Sequence, residues 1–436
     1  MEWYAILIVS FSIILLLMGS GLPVFVAFFF ANLAGVLLVI GPRGFGMFSN
    51  SVYDTLSAES FVTVPLFILM GEILFRSGSV EVLSKAVDVV VGRVRGRMYL
   101  LVIVLSTIFG ALSGSAVAVA AMLGRSLLPQ MKKMGYDTEL SSSTILAGAS
   151  LAPIIPPSIL VVVIGSLVTN VSIAGLLIAG IIPGVIIAII FSIYIGIRVV
   201  MNPSLAPEQE ERPPVSAKDI IKALISTLPF GLVIFSVMGL ILLGIATPSE
   251  AAAAGAFGAI LTAIIYKRFT FAMIWSALKS AATISAMILL IVASSKLFGQ
   301  LLSFSGATPG LIKFVGGLEI EPMVMLLILM LVPLVLCMFM DQFAFMLLAI
   351  PLYEPILKAY AFDPLWFWTL FLINLTIGSI SPPFGYTLFA LKGVSQDLTI
   401  RMVYKSAWAP VIIFLFALVL FSFVPSLITF LPNLFK

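Results

Sequence analysis

The chain has 436 residues, of which 61% are hydrophobic and 10% are charged, and its formal net charge is +4. Because soluble domains carry about 25% charged residues, this composition excludes a soluble globular protein and predicts one integral membrane domain in a lipid bilayer. The absence of histidine and the single cysteine exclude histidine metal centres and internal disulfides. The basic residues lie mostly in loops, which indicates orientation in a membrane and no nucleic-acid partner.

Apolar stretches that can cross about 30 Å of hydrocarbon recur along the whole chain. In the first half, crossings are predicted at 4–19, 22–40, 61–75, 138–168 and 173–199. The loop that follows the third crossing is rich in arginine and lysine, so the positive-inside rule places it in the cytoplasm. The N-terminus is therefore expected on the periplasmic side.

Residues 98–133 are bounded by basic residues on both sides, Arg97 before them and Lys132 and Lys133 at their end. Both ends are therefore expected in the cytoplasm, and the segment must turn back, most simply at 113–115. Two complete spans with a tight outer turn are the alternative. Each arm is shorter than the roughly 20 residues that a full span needs, which favours a re-entrant helical hairpin.

In the second half, a cytoplasmic linker at 201–219 precedes three crossings, a second hairpin that opens from the outside, and two final crossings. The predicted bounds are 220–244, 249–266 and 281–304 for the crossings, 322–360 for the hairpin with its turn at 339–342, and then 364–391 and 406–425. The stretches 79–92 and 267–280 look amphipathic and are expected at the membrane interface. The C-terminus is expected outside.

The segment LAGASLAPIIPPSIL, residues 146–160, is apolar but contains Pro153, Pro156 and Pro157. Each proline removes a backbone donor and crowds the preceding turn. Unwound backbone is tolerated at membrane depth only where it is buried in protein or lines a cavity. The crossing at 138–168 is therefore predicted to be a broken helix that contributes carbonyl groups to a site.

An internal repeat relates the two halves. LLPQMKKMGYD (127–137) aligns with YEPILKAYAFD (353–363) at an offset of 363 − 137 = 226, and the same offset places Ser115 on Asp341. Residues 1–200 and 220–436 each contain five crossings and one hairpin. Since five is odd, the second repeat is expected upside down relative to the first, and 364–391 is its broken helix. Inverted repeats with broken helices are typical of secondary transporters.

Four segments carry a resemblance to a known family: LSGSAVAVAAMLGRSLLPQMKKMGYD (112–137), LAGASLAPIIPPS (146–158), GIATPSEAAAAGAFGA (244–259) and SISPPFGYTLFALKGV (379–394). With nearly the whole chain, they resemble the large membrane subunit of tripartite ATP-independent periplasmic (TRAP) transporters. The resemblance implies an all-α, elevator-type secondary transporter of the bacterial inner membrane, which is not an enzyme. It also implies Na⁺-driven uptake of an organic anion bearing a carboxylate, delivered by a periplasmic substrate-binding protein, and a separate small four-span membrane subunit.

Two Na⁺ sites are expected where the hairpin tips face the helix breaks, because carbonyl and hydroxyl oxygens form the hard cage that Na⁺ prefers. The predicted ligands of the first site are Ser113, Ser115 and the carbonyls of Gly148, Leu151 and Pro153.

The offset of the repeat predicts the second site between the tip at Met340 and Asp341 and the break at Thr376, Ile377 and Gly378. The solute is expected near the midplane between the two sites. The candidate polar contacts with the solute are Ser115, Ser158, Asp341 and Asn374.

For several charged residues, the sequence allows two roles. Asp341 is either an ion or substrate contact or the cap of the second hairpin arm, and Arg125 either meets a carboxylate or extends toward the cytoplasm. Asp137 and Asp363 are predicted helix caps, with ion ligation as the alternative. Glu72 and Lys296 are a possible ion pair.

Two other functions compete with that of a TRAP subunit. A stand-alone secondary anion transporter of related architecture would need no binding protein. An ion channel would explain the apolar spans, but it needs neither an inverted repeat nor paired helix breaks.

Overall fold

The computed structural model describes residues 2–92, 94–168, 170–207, 216–395 and 397–435. These residues form α-helices, short 3-10 and π segments and connecting turns, with no strand among them. The helices of the first half are Trp3–Gly19 (α1), Val24–Gly35 (α2), Phe45–Ser57 (α3), Thr63–Arg76 (α4), Ser79–Val91 (α5), Arg97–Ser113 (α6), Ala116–Ser126 (α7), Leu128–Lys133 (α8), Thr138–Ala149 (α9), Ile159–Leu167 (α10), Ile173–Ala179 (α11) and Ile181–Met201 (α12).

The helices of the second half are Ala217–Leu242 (α13), Pro248–Ile265 (α14), Phe271–Phe304 (α15), Ala307–Gly316 (α16), Pro322–Leu336 (α17), Gln342–Ala359 (α18), Pro364–Ile380 (α19), Tyr386–Val394 (α20), Ile400–Phe423 (α21) and Ser426–Leu434 (α22). The predicted all-α integral membrane fold is confirmed.

Length and composition show which helices can cross a bilayer. In the described ranges, six helical segments are long and apolar enough: α11 with α12, and then α13, α14, α15, α18 and α21. The pair α3 and α4, bent by 61°, is a possible seventh. Shorter apolar helices include α6 and α17, which are the first arms of the two helical hairpins, and α19, which leads into the second break.

Polar caps begin the helices that lead into the two breaks. Asp137 accepts a hydrogen bond from the Leu140 N–H at 2.7 Å, and Asp363 accepts one from the Trp366 N–H at 2.8 Å. The prediction that both aspartates cap helices is therefore confirmed. A side-chain oxygen at this position satisfies one of the four N–H groups that a helix start leaves unpaired.

The helix boundaries recur along the chain with the offset seen in the sequence. The second hairpin arms begin at Ala116 and Gln342, and the helices leading into the breaks begin at Thr138 and Pro364. Both pairs are separated by 226 residues, since 342 − 116 = 226 and 364 − 138 = 226. The second hairpin arms and the helices leading into the breaks therefore recur at the offset seen in the sequence.

The halves differ in one element of the wall beside the hairpins. The predicted amphipathic stretch 267–280 and the crossing 281–304 are not separate, because α15 is one helix of 34 residues. Its counterparts in the first half, α3 and α4, are separate helices joined at a 61° bend. The prediction of two elements at 267–304 is therefore wrong.

Two ion pairs connect residues of the first half with residues of the second half. Lys132 pairs with Asp397 at 2.8 Å, and Lys405 pairs with Glu139 at 2.9 Å. The ammonium of Lys132 lowers the pKa of the Asp397 carboxyl below its ordinary value, through a hydrogen bond and charge attraction. Since the side chains of both pairs are largely exposed, each pair contributes little to stability.

Candidate transport site

Each hairpin tip ends in a polar residue that caps the second arm. Ser115 accepts a hydrogen bond from the Ala118 N–H at 3.3 Å at the start of α7. Asp341 accepts bonds from the N–H groups of Phe343, at 2.9 Å, and Ala344, at 3.3 Å, at the start of α18. Both bonds to Asp341 end on Oδ1. The positive ends of two helix dipoles therefore lie directly behind the tips, where they favour an anion.

The two tips, far apart in sequence, line a single cavity. This central cavity has a volume of about 570 Å³ and contains Ser115 and Asp341 in its wall. The rest of the wall is mostly apolar and comes from the start of α2, the middle of α4 and α15, and Ile159 at the start of α10. A mostly apolar cavity with a few convergent polar groups is the usual form of a small-molecule site.

The first hairpin packs directly on the first break. A Cβ at Gly110 of α6 would come within 2.8 Å of the Ala152 Cα, and a Cβ at Gly114 would come within 2.9 Å of the Ile159 nitrogen. Gly114 also has a φ of +58°, which an L side chain rarely adopts. Glycine at these positions lets the tip lie against the unwound segment, as the predicted first site requires.

The carbonyls predicted for the first site already accept hydrogen bonds within the break. The Gly148 oxygen accepts from the Leu151 N–H at 3.1 Å, and the Leu151 oxygen accepts from the N–H groups of Ile154 and Ile155 at 3.0 and 2.9 Å. The Pro153 oxygen accepts from the Ser158 hydroxyl at 2.6 Å. These bonds hold the break in shape. The side chain of Ser113, the remaining predicted ligand, lies outside the described part of the structure.

The second break lies further along the chain than predicted. Thr376, Ile377 and Gly378 lie within α19, which continues to Ile380 and ends at Ser381. The prediction of an unwound segment at these three residues is therefore wrong. Their carbonyls nevertheless belong to the last turn of the helix, where intrahelical donors run out.

Serine hydroxyls take over this role at the end of α19. Ser379 donates to the Thr376 oxygen at 2.8 Å, and Ser381 donates to the Ile377 oxygen at 2.7 Å. Met340 lies in the turn of the second hairpin, next to Asp341. The two breaks thus differ in shape, although each contains a cis Pro-Pro peptide bond, at Pro156-Pro157 and at Pro382-Pro383.

Ser158 and Asn374 do not line the central cavity with the two tips. Ser158 is buried and caps α10, accepting from the Val161 N–H at 3.4 Å while donating to Pro153. The Asn374 amide nitrogen donates to the Met330 carbonyl of α17, so this side chain holds the second hairpin against α19. The structure therefore brings together two of the four predicted solute contacts, Ser115 and Asp341.

Two buried oxygens near the breaks have no hydrogen-bond partner among the described residues. One is the Asn374 Oδ1, and the other is the Ser106 hydroxyl of α6. A Cβ at Gly148 would come within 2.2 Å of the Ser106 oxygen, so this hydroxyl lies against the first break. By the offset, Gly148 corresponds to Asn374, since 374 − 148 = 226. Each interface between a first hairpin arm and the helix that leads into a break, α6 with α9 and α17 with α19, therefore holds one such unpaired oxygen among the described residues.

Sequence reasoning missed Ser106 and the place of Glu72. Ser106 lies in an apolar helix without a local motif, and only the packing of α6 against Gly148 of α9 shows its place beside the break. Glu72 lines the central cavity and pairs with Arg76 at 2.9 Å, whereas Lys296 pairs with Asp54 at 3.7 Å. The predicted pair of Glu72 with Lys296 is therefore wrong.

The described residues contain no group of three or more acidic, cysteine or histidine side chains that could hold a metal ion. A cation in this region would therefore be held mainly by carbonyl, hydroxyl and amide oxygens. Such a set suits Na⁺ better than a transition metal, which prefers nitrogen and sulfur ligands.

The fold and cavity define a class: an all-helical membrane transporter in which two hairpins face two interrupted helices. The family model "Tripartite ATP-independent periplasmic transporter, DctM component" matches residues 11–427. The chain therefore belongs to this family, whose members are permease components of transporters. A family described as tripartite also implies that the chain acts together with other components.

Individual relatives carry different solute names. The chain is 31% identical to the ectoine/5-hydroxyectoine TRAP transporter large permease protein UehC of Ruegeria pomeroyi, over 77% of each chain. It is 28% identical to the C4-dicarboxylate large permease protein DctM of Pseudomonas aeruginosa, over 92% of this chain and 93% of that one. It is 26% identical to the sialic acid large permease protein SiaM of Vibrio cholerae, over 96% of both.

A solved structure supports the fold. The crystal structure of the Alcanivorax borkumensis YdaH transporter matches with a TM-score of 0.64 and 13% identity, and the match covers 89% of each chain. At this identity the likeness concerns the fold alone.

Proposed function

We propose that the protein is the large membrane subunit of a Na⁺-coupled transporter that takes up a carboxylate-bearing organic solute across the bacterial inner membrane. The observation that carries the proposal is the central cavity, in which the two repeat-related tips, at Ser115 and Asp341, meet. Ectoine, C4-dicarboxylates and sialic acids, which the relatives' names mention, all bear carboxylates. The particular solute is left open by their diversity.

Na⁺ is proposed at the two hairpin–break interfaces. The unpaired oxygens of Ser106 and Asn374 support this placement, because a buried polar atom without a partner costs about 1–3 kcal/mol unless a ligand satisfies it. Asp341 lines the neighbouring cavity, where its charge would oppose a carboxylate in the absence of a cation. Bound Na⁺ would therefore make solute binding more favourable, which couples the two.

Movement is proposed to follow an elevator scheme. The hairpins and broken helices, α6–α10 and α17–α20, form the transport domain that slides, and α1–α5 with α13–α16 form the scaffold. The recurrence of helix boundaries at an offset of 226 residues, together with the odd number of crossings predicted for each half, supports an inverted arrangement of the repeats. Both chain termini then lie in the periplasm.

Two partners complete the proposed transporter, a periplasmic substrate-binding protein and a small four-span membrane subunit. Exposed apolar side chains along α13, among them Leu228, Leu232 and Phe235, leave that helix free to face lipid or a membrane partner.

The test is uptake into proteoliposomes that contain the large and small subunits. The solute that co-purifies with the cognate binding protein serves as substrate, with that protein added outside. We expect uptake only with both the binding protein and an inward Na⁺ gradient. Uptake without the binding protein would support the stand-alone anion transporter, and large ohmic currents in voltage-clamped bilayers would support a channel.

A further inference from the structure

A second cavity lies beside the central one and is lined by three arginines. It has a volume of about 490 Å³, and its wall includes Arg76 at the end of α4, Arg125 in the last turn of α7, and Arg268 in the turn before α15. Glu81 is the acidic residue of the wall, so the ionisable side chains of this arginine cavity sum to a charge of +2. In a membrane protein with 23 basic residues in 436, such a concentration needs an explanation.

The three arginines are not equivalent. Arg76 is engaged, since its Nε and Nη2 donate to Glu72 at 3.0 and 2.9 Å and its Nη1 donates to the Ser276 hydroxyl at 2.8 Å. Arg125 and Arg268 are exposed, and within the described part of the chain neither guanidinium has a hydrogen-bond or ion-pair partner. Two planar donor groups are therefore available, and a guanidinium binds a carboxylate through two parallel hydrogen bonds.

The arginine cavity adjoins the central cavity. Phe75 and Ala118 line both, and the ion pair of Glu72 with Arg76 joins one wall to the other. Glu72 and Arg76 offset each other's charge, so the central cavity keeps the negative Asp341, whereas Arg125 and Arg268 exceed Glu81 in the adjoining one. An anion that has lost its companion Na⁺ would therefore be repelled from the tips and attracted toward the arginines.

We propose that the arginine cavity is an anion-binding vestibule on the cytoplasmic side, which receives the carboxylate of the solute as it leaves the hairpin tips. The identity of this anion rests on the proposed transport function, but the attraction of anions into the cavity does not. The vestibule would give release a direction, since the solute passes from a negative wall to a positive one.

The attraction can be measured without transport. In a Cys337→Ala background, Met122→Cys places one reactive thiol in the wall of the arginine cavity, and Ala121→Cys provides a second reporter. The probes are the anionic 2-sulfonatoethyl and the cationic 2-(trimethylammonium)ethyl methanethiosulfonates. Clefts of one charge raise the local concentration of the opposite ion by about 10- to 1,000-fold.

We expect the ratio of anionic to cationic reaction rates to fall about tenfold or more when Arg125→Gln and Arg268→Gln are combined. Arg401→Gln, which removes an exposed arginine outside the cavity, is the matched control and should leave the ratio unchanged. A ratio that does not respond to the double substitution in either reporter would overturn the proposal.

A lipid headgroup is the other anion that could occupy the arginines. The same rates are measured in phosphatidylcholine vesicles and in vesicles containing phosphatidylglycerol. If the ratio of anionic to cationic rates is the same in both kinds of vesicle, the cavity is a vestibule for a free anion. If phosphatidylglycerol abolishes the preference for the anionic reagent, the cavity is a lipid site and the proposed vestibule is wrong.

The consequence for transport is a separate measurement. In the uptake assay, the double substitution should slow the maximal rate and leave the Na⁺ concentration for half-maximal uptake unchanged. If uptake is unchanged while the ratio of anionic to cationic thiol reaction rates falls, the cavity attracts anions but does not lie on the path of the solute. Absence of uptake by the unaltered protein would contradict the proposed function, while the thiol rates would still test anion attraction.

Discussion

Asp341 combines two roles that sequence patterns treat as alternatives. It caps α18 through two N–H groups, and it also lines the central cavity, as Ser115 does. Position and repeat offset predicted an important residue at the second tip, and the structure explains its type. A carboxylate can both begin the helix and present charge to the cavity, whereas Ser115 begins its helix without a charge.

The first prediction separates these roles by substituting Asp341→Asn. Asparagine caps helices about as well as aspartate, so thermal stability in detergent should hardly change. The loss of a charged ligand, at about 1.5–3 kcal/mol, should raise the Na⁺ concentration for half-maximal uptake by tenfold or more, and docking of the binding protein should persist. Asp363→Asn, at a cap outside the cavity, is the control, and normal Na⁺ dependence in Asp341→Asn would leave Asp341 as a cap only.

The second prediction concerns the Ser106 hydroxyl, which is buried against Gly148 without a partner in the described structure. If this oxygen binds Na⁺, Ser106→Ala should raise the Na⁺ concentration for half-maximal uptake several-fold. If nothing binds there, removal of an unsatisfied hydroxyl should stabilise the protein or have no effect. Ser192→Ala, whose hydroxyl donates to the Ala188 carbonyl in α12, is the control. Unaltered Na⁺ dependence with raised stability would remove Ser106 from the ion site.

At the scale of elements, the sequence predicted hairpins and breaks better than their exact ends. The turn at 113–115 and the break after Ala149 follow from glycine, serine and proline, which act locally. The end of α19 does not, because the helix continues past Gly378 to Ile380 and is finished by serine hydroxyls. Similarly, nothing in the local pattern distinguishes one long α15 from the bent pair α3 and α4, since tertiary packing decides whether a helix continues.

The contact between the first tip and the first break gives the third prediction. Gly114→Ala would place a Cβ 2.9 Å from the Ile159 nitrogen at a φ of +58°. Backbone strain of this kind costs about 1–3 kcal/mol. The thermal midpoint in detergent should therefore fall, and the Na⁺ concentration for half-maximal uptake should rise. The control is Gly231→Ala in α13, where nothing lies within 4 Å of the new Cβ. There alanine should stabilise the helix by about 0.5–1 kcal/mol. Equal effects of the two substitutions would show that the tip does not depend on this close contact.

At the scale of the whole molecule, the offset of 226 residues was visible in the sequence, but the relation between distant elements was not. No local pattern shows that Phe75 and Ala118 separate a negative cavity from a positive one. The pairing of Lys132 with Asp397 and of Lys405 with Glu139 was hidden for the same reason. Side chains from several helices create these features, and their relative positions are set only when the helices pack together.

The proposed elevator makes the last prediction, because a sliding domain can be locked to its scaffold. A Cβ at Gly299 of α15 would lie 3.1 Å from the Pro351 Cβ of α18, near the 3.5–4.5 Å that a disulfide spans. In a Cys337→Ala background, oxidation of the variant with Gly299→Cys and Pro351→Cys should stop uptake, and a reductant should restore it. The matched control joins α4 to α14 within the proposed scaffold, through Thr63→Cys and Ser249→Cys, whose hydroxyls are 2.7 Å apart. This cross-link should form equally well and leave uptake intact, since neither helix moves relative to the other. If the bond between α15 and α18 forms completely and uptake continues, the second hairpin does not slide along α15, and the elevator scheme must give way to a local movement of the tips.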